Sequence, residues 1–320
     1  MEYAGRPVLV TGGAGFIGSH LAERLAALGA RVTVLDSLQD GSLENLRACA
    51  AAVRFLQGDV RDGDAVAEAV RGQEVVFHLA ANASVPRSVQ QPEEDFAANA
   101  LGSQRVLLAA VRAGVRRVVY ASSAAVYGTP RGRPFREEDA PAPVSPYGAS
   151  KLAGEALGLA YAHAYGLEFV ALRVFNTYGP RQPRYVLSDL LRKLHGDPAR
   201  LEVLGDGTQV RDYCYVTDTV AAFLLAGAAP GAAGRALNLA TGRPVSIRHL
   251  VERLLAILGL EGVEVTYTGA SWPGDIRALV GDGSRLRALG FVPQVDLEEG
   301  LRRTVAWFRS ERAATAPAGG

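Results

Sequence analysis

The stretch Val8-Leu9-Val10-Thr11-Gly12-Gly13-Ala14-Gly15-Phe16-Ile17-Gly18-Ser19-His20 decides the fold class. A short apolar run reads as a strand, and the glycines at 12, 15 and 18, spaced G-x-x-G-x-x-G, then open a helix. Small residues let the backbone turn tightly and approach a pyrophosphate, which sits at the positive helix N-terminus. Asp36 ends the next strand candidate, 18 residues after Gly18. A carboxylate there accepts hydrogen bonds from both ribose hydroxyls and repels a 2′-phosphate, so NAD is expected over NADP. Asp59, in Gln57-Gly58-Asp59-Val60, either caps a loop or meets the adenine amino group. His78 precedes Leu79-Ala80-Ala81, small residues where a cofactor backbone would pass; its own side chain is expected in the core.

Outward from this turn, β-branched runs alternate with Ala/Leu-rich helical patterns. Strands are expected at Pro7–Val10, Arg31–Leu35, Val53–Gln57, Val75–His78, Arg117–Ala121 and Glu168–Arg173. Helices are expected at Gly15–Leu28, Asp62–Val70, Phe96–Ala113 and Tyr147–Tyr165. Strand followed by helix, repeated, predicts a doubly wound parallel α/β sheet of Rossmann type, covered on both faces. Runs such as Val75-Val76-Phe77 suit strands buried on both sides. After about residue 180 the pattern changes: a helix at Tyr185–Leu194, the run Leu201–Leu204, a Gly-Asp-Gly turn, a strand near Cys214, a helix at Asp218–Ala226 and a mixed segment to Phe308. The expected division is 1–180 for the cofactor domain, 181–312 for a smaller α/β substrate lobe interleaved with the main sheet, and 313–320 as a tail.

Of 320 residues, 48% are hydrophobic and 21% charged, with a net charge of +1, so nothing points to a nucleic-acid partner. Anionic ligands must be held by local features. Cys49 and Cys214 stand far apart, which argues for a reducing compartment and against a disulfide scaffold or a metal site. The first apolar run leads into the glycine turn rather than a secretory cleavage site. No apolar run nears the ~20 residues of a membrane span, so a cytoplasmic protein without a membrane partner is expected.

Ser145-Pro146-Tyr147-Gly148-Ala149-Ser150-Lys151 places Tyr147 and Lys151 four apart at a helix start, on one face. Pro146 suits the first turn and Ser145 can cap it. A free tyrosine has a pKa near ~10, too high for a base at neutral pH. A neighbouring ammonium and a positive nicotinamide ring favour the phenolate and are expected to lower it. Tyr147 is then the proton acceptor while hydride passes to NAD, and Lys151 also binds the nicotinamide ribose. Ser123 hydrogen-bonds the reacting oxygen, and Ser122 lines the nicotinamide side.

Together these residues resemble the extended short-chain dehydrogenase/reductase family, especially its UDP-glucose (UDP-galactose) 4-epimerases. The markers are the segment 11–20, His-Leu-Ala-Ala at 78–81, Ser-Ser-Ala-Ala-Val-Tyr-Gly at 122–128, the segment 145–151 and Arg-Val-Phe-Asn-Thr-Tyr-Gly-Pro at 173–180. The resemblance implies an NAD-dependent nucleotide-sugar 4-epimerase of the UDP-hexose type, working as a homodimer through two helices per subunit. The alternatives are another nucleotide-sugar epimerase (a UDP-glucuronate 4-epimerase, or a 2- or 3,5-epimerase), a non-dehydratase oxidoreductase and a non-catalytic NAD-binding regulator. It places NAD against Gly12, Gly15, Phe16, Ile17, Gly18, Asp36, Asp59, Val60, Leu79, Ala80, Ala81, Asn99, Ser122, Tyr147, Lys151 and Phe175. It places the sugar nucleotide against Ser84 to Arg87, Ser123, Asn176, Arg211 and Asp275. Arg211 looks like the arginine that grips the diphosphate, its fork matching phosphate oxygens.

Three departures stand out. Where related dehydratases carry an acidic residue before Val-Tyr-Gly, this chain has Ala124 and Ala125. Trp272-Pro273-Gly274-Asp275 lacks the arginine common in the C-terminal substrate loop, leaving Arg184 or Arg277 to take its part. At the position resembling a tyrosine that limits the sugar C2 substituent stands Leu279, which leaves room for an N-acetyl group.

Overall fold

A computed structural model describes residues 3–130, 132–270 and 276–315. Its strands are β1 (Pro7–Thr11), β2 (Arg31–Asp36), β3 (Val53–Gln57), β4 (Val75–His78), β5 (Arg117–Ser123), β6 (Glu168–Val174), β7 (Asn176–Tyr178), β8 (Arg200–Val203), β9 (Val210–Tyr215), β10 (Arg235–Leu239), β11 (Pro244–Ser246), β12 (Glu264–Tyr267) and β13 (Ala278–Leu279). Seven form one sheet in the order β10-β6-β5-β4-β1-β2-β3, all pairs parallel. Every residue of β4 is buried, as a strand sandwiched between two helical layers requires. Strand order reverses between β1 and β4, and a crevice opens there beyond the carboxyl ends of the strands. β10 lies after residue 180 yet pairs with β6, so the chain returns to the main sheet from the smaller lobe. That lobe is built on β9, which pairs with β7, β11 and β13, and on the β8–β12 pair.

The glycine turn follows from close packing. Gly12 has φ +70°, and a Cβ on it would stand 2.7 Å from the Ala80 nitrogen. A Cβ on Gly18 would fall inside the Gly12 carbonyl oxygen. Gly18→Ala is therefore expected to push the helix Phe16–Ala27 off the turn and cut NAD retention by about tenfold or more. NAD released from the denatured, purified variant measures this; wild-type content would show the turn tolerates the shift.

Two expected elements differ. β5 runs on to Ser123, whose register partner is Val174, so both serines belong to the strand rather than the loop after it. The helix expected at Phe96–Ala113 is instead Pro92–Phe96, a wide π-type turn at Ala97–Leu101, and Gly102–Arg112.

Candidate active site

A continuous cleft of about 700 Å³ runs along the carboxyl ends of the strands into the smaller lobe. Gly12, Gly15, Phe16, Ile17, Gly18, Asp36, Asp59, Val60, Leu79, Ala80, Ala81, Ser122 and Phe175 all line it. So do Ser84, Arg87, Ser123, Tyr147, Lys151, Asn176 and Arg211. Asp275 and the Trp272 substitution lie outside the described residues. Asn99 departs from the sequence reading: it is fully buried and is not among the lining residues. The wide turn at 97–101 carries it inward, where Oδ1 accepts from Asn82 N at 2.7 Å. Nδ2 donates to Asn82 O, Asp95 Oδ1 and Ser150 Oγ at 3.1, 3.0 and 3.1 Å. Its place is behind the cleft wall, holding the loop that carries Asn82.

At the glycine end, the helix Phe16–Ala27 begins on Gly15 without a side-chain cap and without an acidic residue in its first turn. Such a helix start suits an anion. Asp36 Oδ2 accepts from Ala14 N at 2.9 Å and Oδ1 from Leu38 N at 2.8 Å, which fixes the carboxylate at the cleft edge. Asp59 holds Arg61 through its backbone N–H at 2.8 Å and its guanidinium at 2.6 Å, and this pairing depresses its pKa. Asp59 thus caps its own loop and at the same time lines the cleft. His78 is a core residue: Nδ1 meets Thr11 Oγ1 at 2.7 Å and Nε2 meets Ser103 Oγ at 3.0 Å. Burial drives its pKa down to about 3.

At the reactive end, the helix Pro146–Tyr165 starts as its sequence dictates, with Ser145 Oγ accepting from Gly148 N at 3.1 Å. Lys151 is 3% exposed and donates to the Ala121 carbonyl at 2.9 Å. Burial pushes its ammonium down to about 8, and the Asp95 carboxylate opposes that fall. Tyr147 corrects an expectation. In the protein burial raises its pKa above 10, Tyr185 and Asp95 push the same way, and only a hydrogen bond with Ser123 pulls it down. Desolvation of the phenolate is the largest of these effects. Ser122 lines the cleft, but its hydroxyl donates away from it, to Glu155 Oε2 at 2.8 Å.

The Lys151 shift gives a pH prediction with a definite sign. The ammonium is charged below about 8 and neutral above. Any step needing that cation therefore weakens as pH rises through this value. The unfolded chain keeps the proton to ~10.4, so the folded state gains stability with pH between the two values. We expect kcat/KM to fall on the alkaline side near 8. A Lys151→Met profile that kept the same limb would assign it elsewhere.

Beyond Tyr147 the cleft is walled by Ala125, Leu279, Asn176, Arg184 and Tyr185. Arg184 faces the cleft and pairs with Asp40 at 2.6 Å, while Arg277 turns outward to Asp206 at 3.2 Å. Asp40 also meets Arg87 at 3.6 Å. Among the described residues, six buried side-chain polar atoms lack a hydrogen-bond partner. Four of them, Asn82 Oδ1, Asn176 Oδ1, Gln182 Oε1 and the Tyr213 hydroxyl, belong to residues lining this cleft. Buried polar atoms are normally satisfied, so their concentration here fits a polar ligand. Asn82, Gln182, Tyr185 and Tyr213 were missed from sequence, since none sits in a glycine turn or a Tyr-x-x-x-Lys pattern.

A dinucleotide-type glycine turn opening onto a Ser/Tyr/Lys group, half-buried at Ser123 and Tyr147 and buried at Lys151, defines a nucleotide-dependent oxidoreductase site on a Rossmann sheet. Residues 8–240 match the NAD dependent epimerase/dehydratase family. The chain is 39% identical to a UDP-glucose 4-epimerase of Mycolicibacterium smegmatis, over 95% of this chain and 98% of that one. The UDP-N-acetylglucosamine 4-epimerase of Methanobrevibacter ruminantium M1 has a TM-score of 0.90 at 34% identity, covering 96% and 99% of the two chains. A dTDP-glucose 4,6-dehydratase of Streptomyces venezuelae, solved with NAD bound, has a TM-score of 0.90 at 36% identity, covering 97% and 99%. The chain belongs to the NAD-dependent epimerase/dehydratase family; it is an enzyme, and its cofactor is NAD.

Proposed function

We propose that the chain is a nucleotide-sugar 4-epimerase of the UDP-hexose type, acting through a transient 4-keto sugar. The observation carrying this reading is Ala125: it lines the cleft beside Ser123 and Tyr147, at the position where a dehydratase would need its acid. A methyl group cannot protonate a departing C6 hydroxyl. This separates the reading from the 4,6-dehydratases to which the chain is also similar.

NAD, when bound, supplies the hydride acceptor and returns the hydride. Tyr147 takes the proton of the C4 hydroxyl as that carbon is oxidised, with Ser123 hydrogen-bonding the same oxygen. Lys151 contributes positive charge and holds the nicotinamide ribose. The sugar then turns about its link to the diphosphate, and Tyr147 returns the proton as hydride arrives on the opposite face. Arg211 and Arg184 grip the diphosphate, with Ser84, Arg87, Asn176 and Asp275 completing the substrate site.

In this reading residues 1–180 carry NAD and 181–312 supply most of the substrate lobe. Phe96 at 61% and Tyr165 at 60% exposure support a homodimer through the helices that bear them. We assign the enzyme to the cytoplasm; no helix among the described residues is long and apolar enough to cross a membrane.

Proton NMR of the protein incubated separately with UDP-glucose, UDP-N-acetylglucosamine and UDP-glucuronate, without added NAD, tests the proposal. A galacto-isomer establishes 4-epimerisation with retained cofactor. A 4-keto-6-deoxy product, or no change in any tube with NAD confirmed bound, overturns it.

A further inference from the structure

Tyr185 stands at φ +81° and ψ 173°, a backbone region that is essentially reserved for glycine. The segment leading to it is tied down at three points. Arg181, itself at φ +66°, reaches Glu23 at 2.6 Å, Arg184 reaches Asp40 at 2.6 Å, and the Tyr185 hydroxyl donates to the Ala83 carbonyl. Glu23, Asp40 and Ala83 belong to the cofactor side of the cleft, whereas Tyr185 opens the helix Val186–Gly196 of the other lobe. Strain of this kind persists only where the surroundings over-determine it, and it collects at ligand clamps. The strained residue is no loop filler here. It carries a large ring into the cleft, and its phenol is close enough to Tyr147 to act on it electrostatically.

We infer that Tyr185 is a specificity residue: its ring walls the sugar end of the cleft opposite Tyr147, and its hydroxyl ties the two lobes together over the reacting sugar. The inference rests on the nucleotide-sugar reading above. A sugar that must turn over inside the site needs room, yet it must not leave as the 4-keto form. At that stage the sugar has lost two electrons and the cofactor holds them as hydride. If the ketone escapes, the hydride has no acceptor and the enzyme is left with reduced cofactor. A wall tied across the cleft limits both the size of the sugar and that loss.

Tyr185→Gly removes the ring while placing at this position the residue that its backbone favours, so the fold should survive. Tyr185→Phe keeps the ring and removes the tie to Ala83. We expect Tyr185→Gly to raise kcat/KM for UDP-N-acetylglucosamine relative to UDP-glucose by about tenfold, the scale at which pocket walls discriminate. During turnover the fluorescence of bound reduced cofactor should build up. Tyr185→Phe should show that build-up with little change in the ratio. Calorimetric binding of both sugar nucleotides to the wild type and both variants completes the test. Altered melting temperature alone, with unchanged sugar preference and no reduced cofactor, overturns the inference and leaves the nucleotide-sugar reading intact. A wild type that neither binds nor converts either compound overturns both.

Discussion

Replacing Tyr147 with Phe is expected to lower kcat by about 10²–10⁴-fold while the protein keeps its fold and its NAD. The substitution removes one oxygen and leaves the ring. The hydroxyl of Ser123 remains, but a serine cannot hold a substrate proton through a catalytic cycle at neutral pH. Lys151 remains as well, with its ammonium donating to Ala121 O at 2.9 Å, where it acts as a fixed charge. Burial keeps the Tyr147 phenol protonated in the protein itself, so its activation depends on positive charge brought next to it. The measurement is kcat and KM on the fastest of the three sugar nucleotides, with NAD content assayed in parallel. A fall in kcat at constant KM marks an interaction made only in the transition state. A raised KM with kcat intact would make Tyr147 a binding residue, and the proton transfer would have to be reassigned.

The parts of this site legible in the sequence are those whose chemistry is local. Gly15 and Gly18 announce a turn because a Cβ on either would press on the Gly12 carbonyl oxygen a few residues away, while Gly12 itself takes φ +70°. Ser145 and Pro146 fix the helix start, and once that start is fixed Tyr147 and Lys151 must share a face. Strand length and apolar runs gave the parallel sheet for the same reason. What stayed hidden depends on which distant segments meet. Asn99 entered as a cofactor ligand through the family resemblance alone, but a wide turn at 97–101 points it at Asp95 and Ser150. Gly154 and Gly158 carry no signal within the Tyr147–Tyr165 helical pattern. In the fold they let that helix lie against Tyr120 and Phe169, where a Cβ would overlap either ring system. Tyr185 carried no signal at all, because nothing in one sequence says that a tyrosine will occupy a glycine conformation.

Glu155→Ala is expected to cost about 3–5 kcal/mol of stability, the penalty for stranding one partner of a buried ion pair. Glu155 is 2% exposed and lies on the same helix as Tyr147, and Arg173 on β6 is 5% exposed. The Arg173 guanidinium engages both carboxylate oxygens, with Nε at 3.2 and 3.1 Å, and its Nη1 donates to the Tyr127 hydroxyl at 2.9 Å. That hydroxyl donates to Asn238 Oδ1 on β10 at 2.6 Å, and Ser122 on β5 donates to Glu155 at 2.8 Å. One carboxylate thus ties the catalytic helix to three adjacent strands beneath the reactive end of the cleft. Alanine leaves the Arg173 cation buried and without its carboxylate, which is why the loss should far exceed that of an exposed pair such as Arg54–Glu68. Glu155→Leu combined with Arg173→Met removes both charges and fills the space, so it should recover most of the stability. Differential scanning calorimetry of the single and double variants reads this directly. A single variant as stable as an Arg54 control would mean the pair is not what holds helix to sheet. A double variant no better than the single would mean that the hydrogen bonds to Ser122 and Tyr127, rather than charge neutralisation, carry the junction.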